Sequence, residues 1–338
     1  MGHHAGLLDL NASTGVSSSA RLTVKLALLL GTLCAALGAC GSATAPHHRH
    51  RAPRRQAAKP APRVTGATSP VTLPQLAGKL VIGVADNDTE FLSDPRFLAL
   101  RIGFVRDEIP WNALLVPYDR ERLATWLDAA RRDKLTPLIT FDRAAASLRH
   151  TLPSVAQFSA LFEQFRAQYP WVTEFVTWNE ANYYGEPTAT HPRRVARYYL
   201  ALRRDCPTCT VLAPDLLDIT NRHYAAGEVA WAHELIHALG FEPPIWALNN
   251  YVGANSLDTA TTERLLRAVT GDIWFVETAG IITEPNHAAA ASEANLLHQA
   301  SVDRFIVGPL AHLSMRIQRV YLYQWQLGSA RDGWDSAL

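Results

Sequence analysis

The stretch TEFVTWNEANYYG, residues 173–185, decides how this chain is read. Its first half is apolar and β-branched, as a buried strand requires, and it ends in Trp178, Asn179 and Glu180. A carboxamide and a carboxyl therefore stand where a strand gives way to a loop. Three letters alone are compatible with an ordinary strand end whose glutamate points into water. A partner weighs against that account: DIWFVETAG, residues 272–280, repeats the pattern and delivers one glutamate, Glu277, at its end.

Outward from these two stretches, further short runs rich in Val, Ile and aromatics read as buried strands. They lie at residues 80–86, 101–106, 136–142, 210–215, 245–251 and 319–325, making eight with the first two. Between them, residues 119–132, 154–169, 192–204, 225–239, 259–269 and 288–301 have helical spacing; in SVAQFSALFEQFRAQY, Val155, Phe158, Leu161, Phe162 and Phe165 share one stripe. Eight alternations of buried strand and covering helix in roughly 260 residues predict an α/β chain folded as a (β/α)8 TIM barrel. An open doubly wound sheet is disfavoured, because Val84-Ala85-Asp86-Asn87 is not a Gly-rich phosphate turn. In a barrel the strand C-termini share one face, and polar residues gather at those ends: Asp86, Arg106, Asp142, Asn179 with Glu180, Asp215, Asn249 with Tyr251, Glu277, and Gln324 with Trp325.

The body resembles the retaining glycoside hydrolases of clan A, the 4/7 superfamily, whose pattern is an Asn-Glu pair ending strand four and a Glu ending strand seven. Asn179-Glu180 and Glu277 occupy those places, and the phrases LPSVAQF, YPWVTEFVTWNEAN and YLYQW are similar to bacterial members near family 39. The resemblance covers residue 80 to the end. It implies Glu277 as nucleophile, Glu180 as acid and later base, and no cofactor or metal. It further implies Asn179 on the sugar 2-hydroxyl, Arg106 and Tyr251 bonded to Glu277, Asn249 as a subsite contact, and Trp325 as a flat floor for a sugar ring.

Each role has a plainer rival. Arg106 has neighbouring acids, Asp107 and Glu108, to pair with, and Arg101 competes for its place if the strand lies elsewhere. Trp325 has the alternative of simple packing, as buried tryptophans often do. Many clan members carry His before Tyr on strand six, whereas Asn249-Asn250-Tyr251 stands here, which leaves the sugar open. Residues 325–338 leave little length for a final covering helix.

A competing motif is His233-Glu234-Leu235-Ile236-His237, the HExxH of zinc metalloproteases, with Gly240 following. Pro243 stands where a third histidine ligand belongs, and Glu263 lacks the surroundings of a ligand-bearing helix. Cys206 and Cys209 form a lone CxxC, which in an exported chain reads as a local disulfide.

The chain divides into residues 1–40, 41–76 and 77–338. Arg21 and Lys25 precede an apolar run at residues 26–39 of signal-peptide length, too short for a confident membrane span. Leu37-Gly38-Ala39-Cys40 resembles a bacterial lipobox, with Cys40 as the lipidated residue; Cys34 falls in the removed part. Residues 41–76 are rich in Ala, Pro, Ser, His and Arg and read as a disordered linker. Residues 1–76 carry eight Lys or Arg against Asp9 alone, a net of +7; since the whole chain is +1, the remainder is −6. An acidic body offers no footprint for nucleic acid. The expected protein is an extracytoplasmic, lipid-anchored monomer whose partner is a β-linked poly- or oligosaccharide. The alternatives are a non-hydrolytic carbohydrate-binding relative of the same fold and, further off, the metalloprotease.

Overall fold

The computed structural model describes residues 80–219, 222–223, 225–283, 292–327 and 335–338. The signal-like segment, Cys40 and the linker lie outside these residues.

Among the described residues nine strand segments, all paired in parallel, form one sheet: β1 Val81–Ala85, β2 Phe104–Pro110, β3 Thr136–Asp142, β4 Glu174–Val176, β5 Thr210–Leu212, β6 Asp215–Leu217, β7 Ile245–Asn249, β8 Asp272–Thr278 and β9 Ile317–Tyr323. The sheet order β5-β4-β3-β2-β1-β9-β8-β7-β6 places β5 and β6 at opposite edges. Those edges belong to one stretch of chain, interrupted at Ala213 and Pro214. Proline offers no N–H to a ladder, so the strand breaks there and changes partner. β5 pairs with β4, and β6 with β7; Ala213 N–H donates to Ile245 O at 2.9 Å and Asp215 N–H to Trp178 O at 2.9 Å. Counted this way, eight strand positions close on themselves through residues 210–217.

Helices α1 Pro95–Leu100, α2 Pro117–Arg132, α3 Val155–Gln168, α4 Pro192–Asp205, α5 Glu228–Leu239, α6 Tyr251–Asn255, α7 Ala260–Ala268 and α8 Glu293–Phe305 join the strands. Their starts are locally specified. Ser154 and Gln157 exchange side-chain-to-backbone bonds as a capping box before α3, and prolines open α1, α2 and α4, where a missing N–H costs nothing.

The period of two along each strand sorts side chains into two layers. Val320 of β9, Trp246 and Leu248 of β7, and Phe275 of β8 pack outward under the helices with Trp126, Phe158 and Phe162. Tyr321, Tyr323, Ala247, Trp274 and Val276 point inward with Leu138, Val176 and Leu212. Near the strand N-termini Arg319 fills the interior: it pairs with Glu174 at 2.5 Å, its guanidinium 3.7 Å from the Trp274 ring centroid and 4.5 Å from that of Phe104. Gly83 lets the Tyr321 ring cross the barrel, since a Cβ there would lie 2.5 Å from Cδ1 of that ring.

Several boundaries differ from the sequence reading. β2 begins at Phe104 because Arg101 closes α1 in the left-handed conformation (φ 53°), so Arg106 is mid-strand rather than terminal. Tyr251 does not extend β7; it opens the short helix α6, whose Val252 and Gly253 N–H groups are capped by Asp218 at 2.9 and 2.7 Å. β9 ends at Tyr323, two residues before Trp325, and α1 was not foreseen at all. Among the described residues no helix follows β9.

Candidate active site

Five of the expected residues meet inside the barrel mouth. Arg106, from β2, is 1% exposed, and its three guanidinium nitrogens all have partners. Nε donates to Thr140 Oγ1 at 2.8 Å, Nη1 to Glu277 Oε2 at 2.6 Å, and Nη2 to Asn179 Oδ1 at 3.0 Å and Asp215 Oδ2 at 3.4 Å. Burial works against its charge, but the carboxylates of Glu277, Asp215 and Glu108 outweigh burial and hold it protonated.

Glu277, near the end of β8, is bonded at both oxygens, since Tyr251 OH donates to Oε1 at 3.0 Å. Burial and the Glu277 charge push the Tyr251 phenol well above its ordinary range, so it stays a donor. A carboxyl bonded at both oxygens by a guanidinium and a phenol has a fixed aim.

Trp178, Asn179 and Glu180 follow β4 as an extension of it: Asn179 N–H donates to Phe141 O at 2.7 Å. Trp178 is core, stacked on Tyr198 at 5.6 Å between centroids. Its Nε1 lies 3.4 Å from Glu186 Oε2, and Glu186 is paired with Arg143 at 2.7 Å. Asn179 spends its carbonyl oxygen on Arg106, which leaves Nδ2 as its donor. Glu180 is 4% exposed, has φ +42°, and gives its N–H to Asp215 Oδ1. The chain therefore brings two carboxyls to one mouth and connects them through Arg106 and Asp215.

No protein-family model matches the chain, and no curated protein matches it significantly. Solved structures do. A family 39 glycoside hydrolase from Bacteroides cellulosilyticus is 14% identical at a TM-score of 0.50 over 77% of this chain, which spans only 60% of that protein's length. A family 5 glycoside hydrolase from Prevotella bryantii is 11% identical, TM-score 0.51, covering 76% of this chain and 93% of that one. A family 10 xylanase from Bispora is 10% identical, TM-score 0.52, covering 77% and 90%. These likenesses show the fold, a parallel β/α barrel of the kind glycoside hydrolases use.

Within this barrel the other expected residues lie as follows. Asn249 pairs in register with Glu277 at the mouth and is fully buried, and neither its side-chain oxygen nor its nitrogen has a hydrogen-bond partner. Trp325 packs in the outer layer, its ring edge-on to Phe97 at 5.5 Å and its Nε1 on Asp94 Oδ2 at 3.0 Å. The aromatic that faces inward beside Tyr251 is Tyr323, whose phenol is pushed well above its ordinary range by burial and by the charges of Glu277 and Asp86. Sequence reasoning assigned no role to Tyr323, Thr140 or Asp215; the signal available was alternation along β9 and the polar residue following Pro214. Asp86 anchors the rim, accepting the backbone N–H of Trp325 at 2.9 Å.

His233, Glu234 and His237 lie exposed on α5, and His233 lines a cavity of about 600 Å³ with Arg222, Arg264 and Arg267, cations that oppose a metal dication. Among the described residues no group of three His, Cys, Asp or Glu side chains is placed to hold a metal ion. Cys206 and Cys209 form a disulfide between α4 and β5, ahead of β5 and so away from the strand C-termini.

Proposed function

We propose that the protein is a retaining glycoside hydrolase acting on a β-linked poly- or oligosaccharide, with Glu277 as nucleophile and Glu180 as acid and base. The observation that carries this reading is the double grip on Glu277 by Arg106 and Tyr251, set beside a second buried carboxyl, Glu180. Retaining hydrolysis needs such a pair. In the first step a Glu277 oxygen attacks the anomeric carbon; the bond to the leaving oxygen breaks with its electrons, and that oxygen takes the Glu180 proton. In the second, the Glu180 carboxylate removes a proton from water, whose oxygen attacks the same carbon, breaks the ester to Glu277 and restores both groups. Asn179 Nδ2 supplies a donor for the 2-hydroxyl, a contact that strengthens as charge develops.

The test is release of aryl alcohol from a panel of aryl β-glycosides by wild type and Glu277→Ala, followed by trapping with a 2-fluoro-glycoside and locating the modified residue. Adduct on Glu277 and loss of release in the variant are expected. Equal release by both proteins sinks the enzymatic reading and leaves a carbohydrate-binding barrel.

We propose also that the chain is exported and tethered through a lipid on Cys40, on the strength of the lipobox-like Leu37-Gly38-Ala39-Cys40. Labelled palmitate should enter the wild type and not Cys40→Ser; equal labelling rejects the tether.

A further inference from the structure

Glu180 holds a backbone conformation, φ +42°, that a residue with a side chain enters only when its surroundings impose it. The residue that imposes it is Asp215. Its N–H donates to Trp178 O at 2.9 Å, its Oδ1 accepts the Glu180 N–H, and its carbonyl accepts the Ala181 N–H at 2.9 Å, so it brackets the turn on both sides. Its second carboxylate oxygen meets Arg106 Nη2 at 3.4 Å, the same guanidinium whose Nη1 holds Glu277. Both partners of that ion pair are buried, with side chains 1% and 0% exposed. Burying a carboxylate this fully is costly, and an amide or hydroxyl would accept an N–H at lower cost. A full negative charge is useful here because it also engages Arg106.

We infer that Asp215 is a positioning residue: it sets the aim of Glu180 and couples it through Arg106 to Glu277. The inference rests on the glycosidase reading above. Proton transfer to a leaving oxygen requires the acid within hydrogen-bond reach, and a displacement of about 1 Å can cost on the order of 100-fold. A misaimed Glu180 should therefore hurt substrates in proportion to their need for a proton.

The experiment compares wild type, Asp215→Ala and Asp215→Asn on the phenyl and 2,4-dinitrophenyl glycosides of a sugar that wild type cleaves. Dinitrophenolate departs unaided; phenolate needs the acid. In Asp215→Ala, kcat/KM should fall about 100-fold on the phenyl glycoside and less than about tenfold on the dinitrophenyl one. Azide, which needs no base, should partly restore turnover of the dinitrophenyl substrate and yield a glycosyl azide. Asp215→Asn keeps an acceptor for the Glu180 N–H but loses the charge, so its leaving-group ratio should shift the same way by less. A folded Asp215→Asn variant with the wild-type ratio overturns the inference, whether or not the alanine variant folds. So do equal losses on both substrates. If wild type releases no aryl alcohol from any glycoside in the panel, the glycosidase reading itself fails and takes the inference with it.

Discussion

Arg106 Nη1 stands 2.6 Å from Glu277 Oε2, joining β2 to β8 across 171 residues of sequence inside the barrel. The contact is buried on both sides, and the remaining guanidinium nitrogens are spent on Thr140, Asn179 and Asp215. One planar fork thus fixes residues of β2, β3, the β4 extension, β6 and β8 relative to one another. That rigidity is what a pair of carboxyls needs in order to act on a single carbon.

Arg106→Lys tests the fork. A single ammonium keeps the charge but cannot span four acceptors. Steady-state kinetics should show kcat/KM lowered about 100-fold or more. A lysine variant within about threefold of wild type would show that only charge matters at this position.

Tyr251→Phe removes the 3.0 Å hydrogen bond to Glu277 and leaves the ring in place. Turnover should fall by about tenfold or more, the worth of one donor on a reacting carboxylate. The melting temperature should hardly move, so a large drop in stability without loss of turnover contradicts the assigned role.

Tyr323 and Trp325 separate contact with substrate from packing. Trp325→Phe loses the bond to Asp94 and part of the contact with Phe97, so it should lower stability by about 1–2 kcal/mol with KM unchanged. Tyr323→Ala opens the inner wall and should raise KM severalfold. Denaturation curves and initial rates on both variants decide; the reverse pattern restores Trp325 as the sugar floor.

Stability should rise on mild acidification. Burial raises Asp86 to about 7, against lowering by the Asp88 N–H; burial raises Asp107 and Asp218 to about 6 against Arg122 and the Gly253 N–H respectively. Each folded value exceeds the ordinary 3.8, so the folded state binds these protons more tightly than the unfolded chain. Their contribution is complete below about pH 4 and is lost as pH climbs through 6 and 7. Scanning calorimetry should give a melting temperature about 4 °C or more higher at pH 5 than at pH 8. A flat or rising curve over that interval refutes the assignment.

Chelation should leave turnover untouched. His233 and His237 are exposed on α5, with arginines lining the cavity beside His233. Full activity after EDTA, an absence of zinc in the purified protein and normal rates in His237→Ala are expected; loss of rate on chelation revives the metalloprotease.

Much of the architecture was legible because it is written in local pattern. Parallel strands buried on both faces read as continuous apolar runs, and all eight strand positions were recoverable from such runs. A charge at the end of one must sit at the mouth or be paired, which singled out Glu180 and Glu277. Two helix starts were nearly as plain, at Ser154 with Gln157 and at Pro192, whereas the helix read from residue 119 begins at Pro117.

What the sequence by itself determined, then, is the alternation of strand and helix and the residue types at the strand ends, because burial and capping act over a few neighbouring residues. Only the tertiary structure decided which of those residues meet. Arg106 and Asp215 lie 109 residues apart, and their contact depends on barrel closure through the strand broken at Pro214. Tyr323 and Trp325 would share a face if β9 ran on; because the strand stops at Tyr323, the alternation no longer holds two residues later, and Tyr323 lies inward while Trp325 packs in the outer layer. Tyr251 reaches Glu277 because Asp218, 33 residues earlier, caps the turn that carries it. Such contacts are set by strand pairing and register between distant segments, and no local pattern encodes them.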